Sequence, residues 1–133
     1  MLKVDIKSQS QLLNVLSRDF RLKSNKAFTA TYRVKHSFYL NGVAVFVGLK
    51  KKSPEDVTKV GFVVSKKTHK RAVRRNRLKR LMRESYRLML KSGNLGNSNL
   101  YMSLIFVGHE KALDKTFQEI QSTMEALIAK IND

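Results

Sequence analysis

Between Lys66 and Arg87 the chain carries eleven Lys or Arg and a single acid, Glu84. Like charges at that density repel one another unless a polyanion neutralises them. No fold can bury such a segment whole, so one flank must stay in solvent. The apolar residues say which flank goes inside. At about 100° per residue, Leu78, Leu81, Met82, Ser85, Leu88 and Met89 fall on one side of a helix, with Tyr86 at its edge. Asn76, Arg77, Lys79, Arg80, Arg83 and Arg87 fall on the other. The first side is suited to docking on a sheet. The second presents guanidinium groups, whose planar forks pair with phosphate and stack on bases better than Lys does. Ordinary solvated faces alternate in sign, and this one does not. A basic amphipathic helix can also lie on a membrane, but this apolar side lacks Trp and Phe and is needed for a core.

The remaining elements follow from periodicity and turn chemistry. Ser24 is placed to cap a helix from Asn25 to about Val34, with Phe28 and Tyr32 one turn apart. Residues 42–49 (GVAVFVGL) and 59–66 (KVGFVVSK) read as strands, joined by a turn around Pro54, the chain's one proline. A weaker strand covers His36 to Leu40, and residues 101–107 (YMSLIFV) make a further one. KSGNLGNSN ends the basic helix. Phe117, Ile120, Met124, Leu127, Ile128 and Ile131 recur at helical spacing, with Thr116 and Glu119 as a capping box. Leu12, Leu13, Val15 and Leu16 read as a short helical turn. The order is α-β-β-β-α-β-α, an α+β sandwich in which helices cover one sheet.

Composition bounds the function. A chain of 133 residues fits one domain, 1–133, with residues 1–17 as an extension ahead of it. It can bury roughly two-thirds of its unfolded surface. The net charge of +17 points to nucleic acid or an anionic surface as partner. There is no Cys, so disulfides and thiolate metal sites are excluded. No segment reads as a signal peptide or approaches the ~20 apolar residues of a membrane span. The expectation is a cytoplasmic protein with no membrane partner. The ten carboxylates are scattered, and His36, His69 and His109 share no motif. Glu84 pairs most simply with Arg80 or Arg87 along the helix. The residues therefore point to a binding chain without a catalytic site or metal site of its own.

A strand ending in Val60-Gly61-Phe62-Val63-Val64-Ser65, then Lys66-Lys67, Ala72, Arg75-Asn76-Arg77, Lys79-Arg80 and Arg83-Glu84, resembles the bacterial ribonuclease P protein subunit. The likeness runs weakly from about Phe20 to Ile131, with Asp19-Phe20-Arg21-Leu22 to Tyr32 similar to the family's first helix region. Three departures stand out. The loop Thr68-His69-Lys70-Arg71 lacks the glycine that often follows Lys-Lys. The glycine usual after the first helix is replaced near Lys35. Ser103 stands where an Asp commonly opens the last strand, which bears on any loop metal site.

The resemblance implies a ribonucleoprotein endonuclease whose catalyst is its RNA subunit, which uses Mg²⁺ to hydrolyse precursor tRNA and leave the mature 5′ end. It implies a fold like the second domain of small-subunit ribosomal protein five, with a left-handed βαβ crossover. The expected partners are ribonuclease P RNA, bound one to one by a monomer, and precursor tRNA. The expected contacts to the catalytic RNA are Lys66, Lys67, Lys70, Arg71, Arg74, Arg75, Asn76, Arg77, Lys79, Arg80, Arg83 and Arg87. The expected leader-binding cleft is Phe28, Tyr32, Phe46, Ser65 and Lys67. For those aromatics, a place in the core and a place on a stacking platform stay open, because a strand alternates its faces. Two other readings share the charge and size: a ribosomal or ribosome-assembly protein, and a DNA-binding module using the basic helix in a major groove.

Overall fold

The structure, a computed structural model, describes residues 20–132. The helical turn expected around Leu12–Leu16 and the extension over residues 1–17 lie outside the described residues. The element order is α1 (Asn25–Arg33), β1 (His36–Leu40), β2 (Val43–Val47), β3 (Lys59–Val63), α2 (Ala72–Ser92), β4 (Ser103–Gly108) and α3 (Phe117–Asn132). This is the expected α-β-β-β-α-β-α order. Short 3-10 turns at Gly96–Leu100 and Glu110–Ala112 flank β4.

Local chemistry sets the boundaries. The Ser24 hydroxyl accepts from the Ala27 N–H at 3.0 Å and starts α1. At the other end Lys35 takes φ 59°, the left-handed conformation in which helices commonly end. Asn41 and Gly42 have φ 48° and 92°, the two positive values of a tight hairpin turn between β1 and β2. The β2 strand therefore begins one residue later than its apolar run, because Gly42 belongs to the turn. Gly93 closes α2 in the same left-handed region. Thr116 and Glu119 form the capping box of α3, each side chain bonding the other's backbone N–H (2.9 and 3.2 Å).

The sheet is open, in the order β1-β2-β4-β3. β1–β2 and β2–β4 are antiparallel, and β4–β3 is parallel. One face carries Val45, Phe106 and Phe62 in a row, with Val43, Val47, Leu104, Val60 and Val64 around them. α2 and α3 cover this face and close the core with Leu78, Met82, Met89, Ile120, Met124 and Leu127. Tyr86 is not at the edge of the α2 apolar side. It is fully buried, 5.9 Å from Phe106 and 6.1 Å from Phe62, and completes a cluster of three rings with that stacked pair. Among the described residues, the helix on the opposite face is α1, packed at one end. Thr31 on α1 bonds Ser103 on β4 at 2.6 Å, so the serine at the opening of β4 seats α1 on the sheet.

Handedness follows from one hydrogen bond. Lys59 shares the α1 face with Ser103, and its N–H reaches Met102 O on the β4 side at 2.9 Å. For an L-residue this puts β4 to the right of an upward β3, viewed from α1. α2 crosses behind, so the crossover is left-handed, against the usual rule.

Candidate RNA-binding surface

The basic segment divides into cations that face water and cations that hold the fold. Lys66, Lys67, Lys70 and Arg71 are exposed ahead of α2, and Asn76 and Arg80 are exposed on it. Arg75 turns back instead. Its guanidinium donates to the carbonyls of His69 (2.7 Å) and Lys70 (2.9 Å). The His69 ring accepts from the Arg71 N–H at 3.0 Å, and Thr68 N–H donates to Ser65 O at 3.0 Å. The glycine-free loop is thus held by side chains. Arg77 donates to Leu113 O and Lys115 O, both at 3.0 Å, and ties α2 to the segment between β4 and α3. Arg74 pairs with Asp114 on that same segment. Arg87 makes two bonds to Glu84 (2.9 and 2.5 Å), which hold the Glu84 carboxyl below its ordinary range.

Lys79 and Arg83 lean toward the outer edge of β3. There, Phe20, Leu22, Phe28, Arg21, Lys79 and Arg83 line a groove of about 240 Å³. Phe20 O and Leu22 N–H bond Val60 at the start of this edge (2.6 and 2.9 Å). The Arg83 guanidinium lies 5.8 Å from the Phe62 ring centroid. Burial, and then repulsion from Arg21, pull Arg83 below its ordinary pKa. Among the described residues, no carboxylate lines this groove. It is a place where anionic charge is wanted.

The aromatic residues of α1 meet the sheet on its other face. Tyr32 meets Phe46 edge-on, with ring centroids 4.8 Å apart. Phe28 lies over Gly61, where an added Cβ would come within 2.7 Å of the ring. Tyr32 is 37% exposed and Phe28 and Phe46 are half-buried, so these rings are neither core nor free. Burial raises the Tyr32 phenol pKa. Ser65 and Lys67 do not join them. They line, with Thr68, a wide groove of about 730 Å³ at the far end of the same face, with Tyr39, His109 and Lys111. The five expected cleft residues thus share one sheet face but stand at its two ends. Ala44, Val107 and Val63 form one row of the floor between them.

A chain with these two surfaces matches known proteins along nearly its whole length. The Ribonuclease P family model matches residues 16–132. The chain belongs to the Ribonuclease P protein family. The ribonuclease P protein component of Clostridium novyi (strain NT) is 35% identical over 115 residues, spanning 86% of this chain and 96% of its own. That of Clostridium kluyveri is 36% identical over 111 residues, 84% of this chain and 93% of its own. Among solved structures, the Staphylococcus aureus RNase P protein superposes with TM-score 0.68 at 29% identity, covering 86% of this chain and 98% of that one. The Thermotoga maritima RNase P protein shares the fold at TM-score 0.69 and 22% identity, over 85% and 98% of the two chains. The family's function is processing of tRNA 5′ leaders together with RNase P RNA, as part of an endoribonuclease complex.

Two residues of this surface escape the sequence reading. Tyr39 and His109 lie together at the far end of the groove face. The signal for Tyr39 is the dipeptide Asn41-Gly42. A two-residue hairpin there fixes the register and puts Tyr39 opposite Ala44, two positions along from Phe46. Among the described residues, no group of three or more His, Asp or Glu side chains is placed to hold a metal ion. No described helix is long and apolar enough to cross a membrane.

Proposed function

We propose that this chain is the protein subunit of a ribonuclease P whose RNA subunit does the cutting. Its exposed cations ahead of and along α2 bind the catalytic RNA. The groove face under α1 holds the 5′ leader of precursor tRNA. The reading rests most on the β3 edge, where Phe28 and Arg83 line one groove. There the basic helix and the aromatic face meet, so a protein bound to one RNA offers its face to a second strand beside it. Leader bases would stack on half-exposed rings while Lys and Arg neutralise phosphates, a mode that tolerates any sequence. Precursors with different leaders need that tolerance. Mg²⁺ is proposed as the cofactor of the RNA subunit. The protein acts as a monomer, one copy to one RNA.

The test is cleavage of a 5′-extended precursor tRNA at low Mg²⁺ by the protein alone, by a bacterial ribonuclease P RNA alone, and by both. Cutting at the mature 5′ end only by the mixture is the expected result. Equal cleavage with and without the protein would overturn the proposal.

A further inference from the structure

Tyr39 is 54% exposed on β1, the outermost strand of the sheet, and its ring meets that of His109 at 5.7 Å with a 60° tilt. Its register places it in the row Tyr39, Ala44, Val107, Val63. The neighbouring row on the same face is Ser37, Phe46, Ile105, Gly61, which lies under Tyr32 and Phe28. Tyr39 and His109 therefore stand on the same floor as the α1 rings, at its other end. Ile105 and His109 are four residues apart along the chain, roughly 13 Å at strand spacing. The surroundings suit a nucleic acid strand. Lys67 and Lys111 supply charge, Ser65 and Thr68 supply hydroxyls, and Glu110 is the one acid in the lining.

We propose that Tyr39 and His109 form a second stacking platform, which holds leader nucleotides beyond those at Phe28 and Tyr32. The proposal rests on the groove being the leader site. Two ring surfaces at opposite ends of one apolar floor, each beside Lys or Arg, make a track for a single strand. Exposure of Tyr39 follows from this use, because a ring that stacks on an incoming base must be open before the base arrives.

The experiment measures the affinity of the assembled protein–RNA enzyme for mature tRNA and two precursors. One has a leader that reaches only the α1 rings. The other has a leader long enough to span roughly 13 Å more. Tyr39→Ala is expected to weaken binding of the long-leader precursor about 5-fold or more, the effect of one lost base stack. It should leave the short-leader precursor and mature tRNA unchanged. Tyr39→Phe should retain wild-type affinity, and His109→Ala should reproduce the leader-length-dependent loss. Thermal unfolding of Tyr39→Ala should match wild type, since the side chain is largely in solvent. No loss on the long leader overturns the proposal. So does an equal loss on both precursors, and so does a loss of affinity for ribonuclease P RNA alone, which would assign Tyr39 to that RNA. If the wild-type enzyme binds precursor and mature tRNA alike, the leader-groove reading itself fails, and that result is distinct from the others.

Discussion

Lys35 occupies a backbone conformation that costs an L-residue about 1–2 kcal/mol and a glycine little. Its position just past α1 is the usual place for that glycine. Lys35→Gly is therefore expected to raise the unfolding free energy by about 1 kcal/mol, measured by denaturant titration. Ser85 is a second local cost. Its hydroxyl is fully buried on α2 and has no hydrogen-bond partner among the described residues. Ser85→Ala removes an unsatisfied group and should stabilise by up to about 1 kcal/mol. Arg75 and Arg80 carry the same charge and part ways in role. Arg75→Ala should lower both thermal stability and RNA affinity, because two loop carbonyls lose a charged donor. Arg80→Ala should lower affinity alone. The sequence could not separate them. Both lie in the same motif, and only the path of the Thr68–Arg71 loop tells which guanidinium has carbonyls in reach.

At the scale of the element, α2 sets the salt response. If the exposed cations and the groove pair Arg83 and Lys79 make roughly 6–10 phosphate contacts, affinity for the catalytic RNA should fall about 10³- to 10⁵-fold between 50 and 200 mM salt. A flat response in a filter-binding titration would remove the electrostatic account. Acid acts on α2 and α3 through their carboxylates. Arg87 lowers the Glu84 pKa, and the capping bonds of Thr116 lower that of Glu119. A depressed folded pKa adds stability above the ordinary value of 4.5, and that stability is lost as pH falls through the lower folded value. Unfolding followed across this range should show the loss, and Glu84→Gln should flatten part of it. For the Glu84–Arg87 surface pair the effect is small, under about 1 kcal/mol. Elements of this kind are legible in a sequence. The β-branched runs, the cap at Ser24 and the Thr116–Glu119 box each state their structure within a few residues. The depth of Tyr86 was not legible, because the rings it packs against, Phe62 and Phe106, come from two strands far apart in the chain.

For the whole molecule, the question is whether the α1 rings serve the fold or the ligand. Tyr32→Ala should weaken precursor binding by about 1–3 kcal/mol and leave mature tRNA unaffected, because only the precursor has a leader. Equal losses would make Tyr32 a packing residue. Gly61→Ala tests the same point from below. Its new Cβ would push the Phe28 ring aside and should cost leader affinity more than stability. The sequence named Phe28, Tyr32, Phe46, Ser65 and Lys67 as one cleft. Their placement at two ends of one sheet face depends on strand order, which no single stretch of sequence displays.

That order has a consequence for synthesis. β4 is the last strand of the chain to be made, yet it lies between β2 and β3. Until residues 103–108 leave the ribosome, β2 pairs only with β1, β3 is bonded only by Phe20 and Leu22, and no strand joins the two halves of the sheet. A nascent chain that stops short of β4 displays the cations of α2 without the Phe46–Ile105–Gly61 row of the sheet beside them. The centre of the floor, the Ser103 contact to α1 and the Phe106 ring against Tyr86 arrive together with one six-residue strand, so the two halves of the sheet become one face in a single late step.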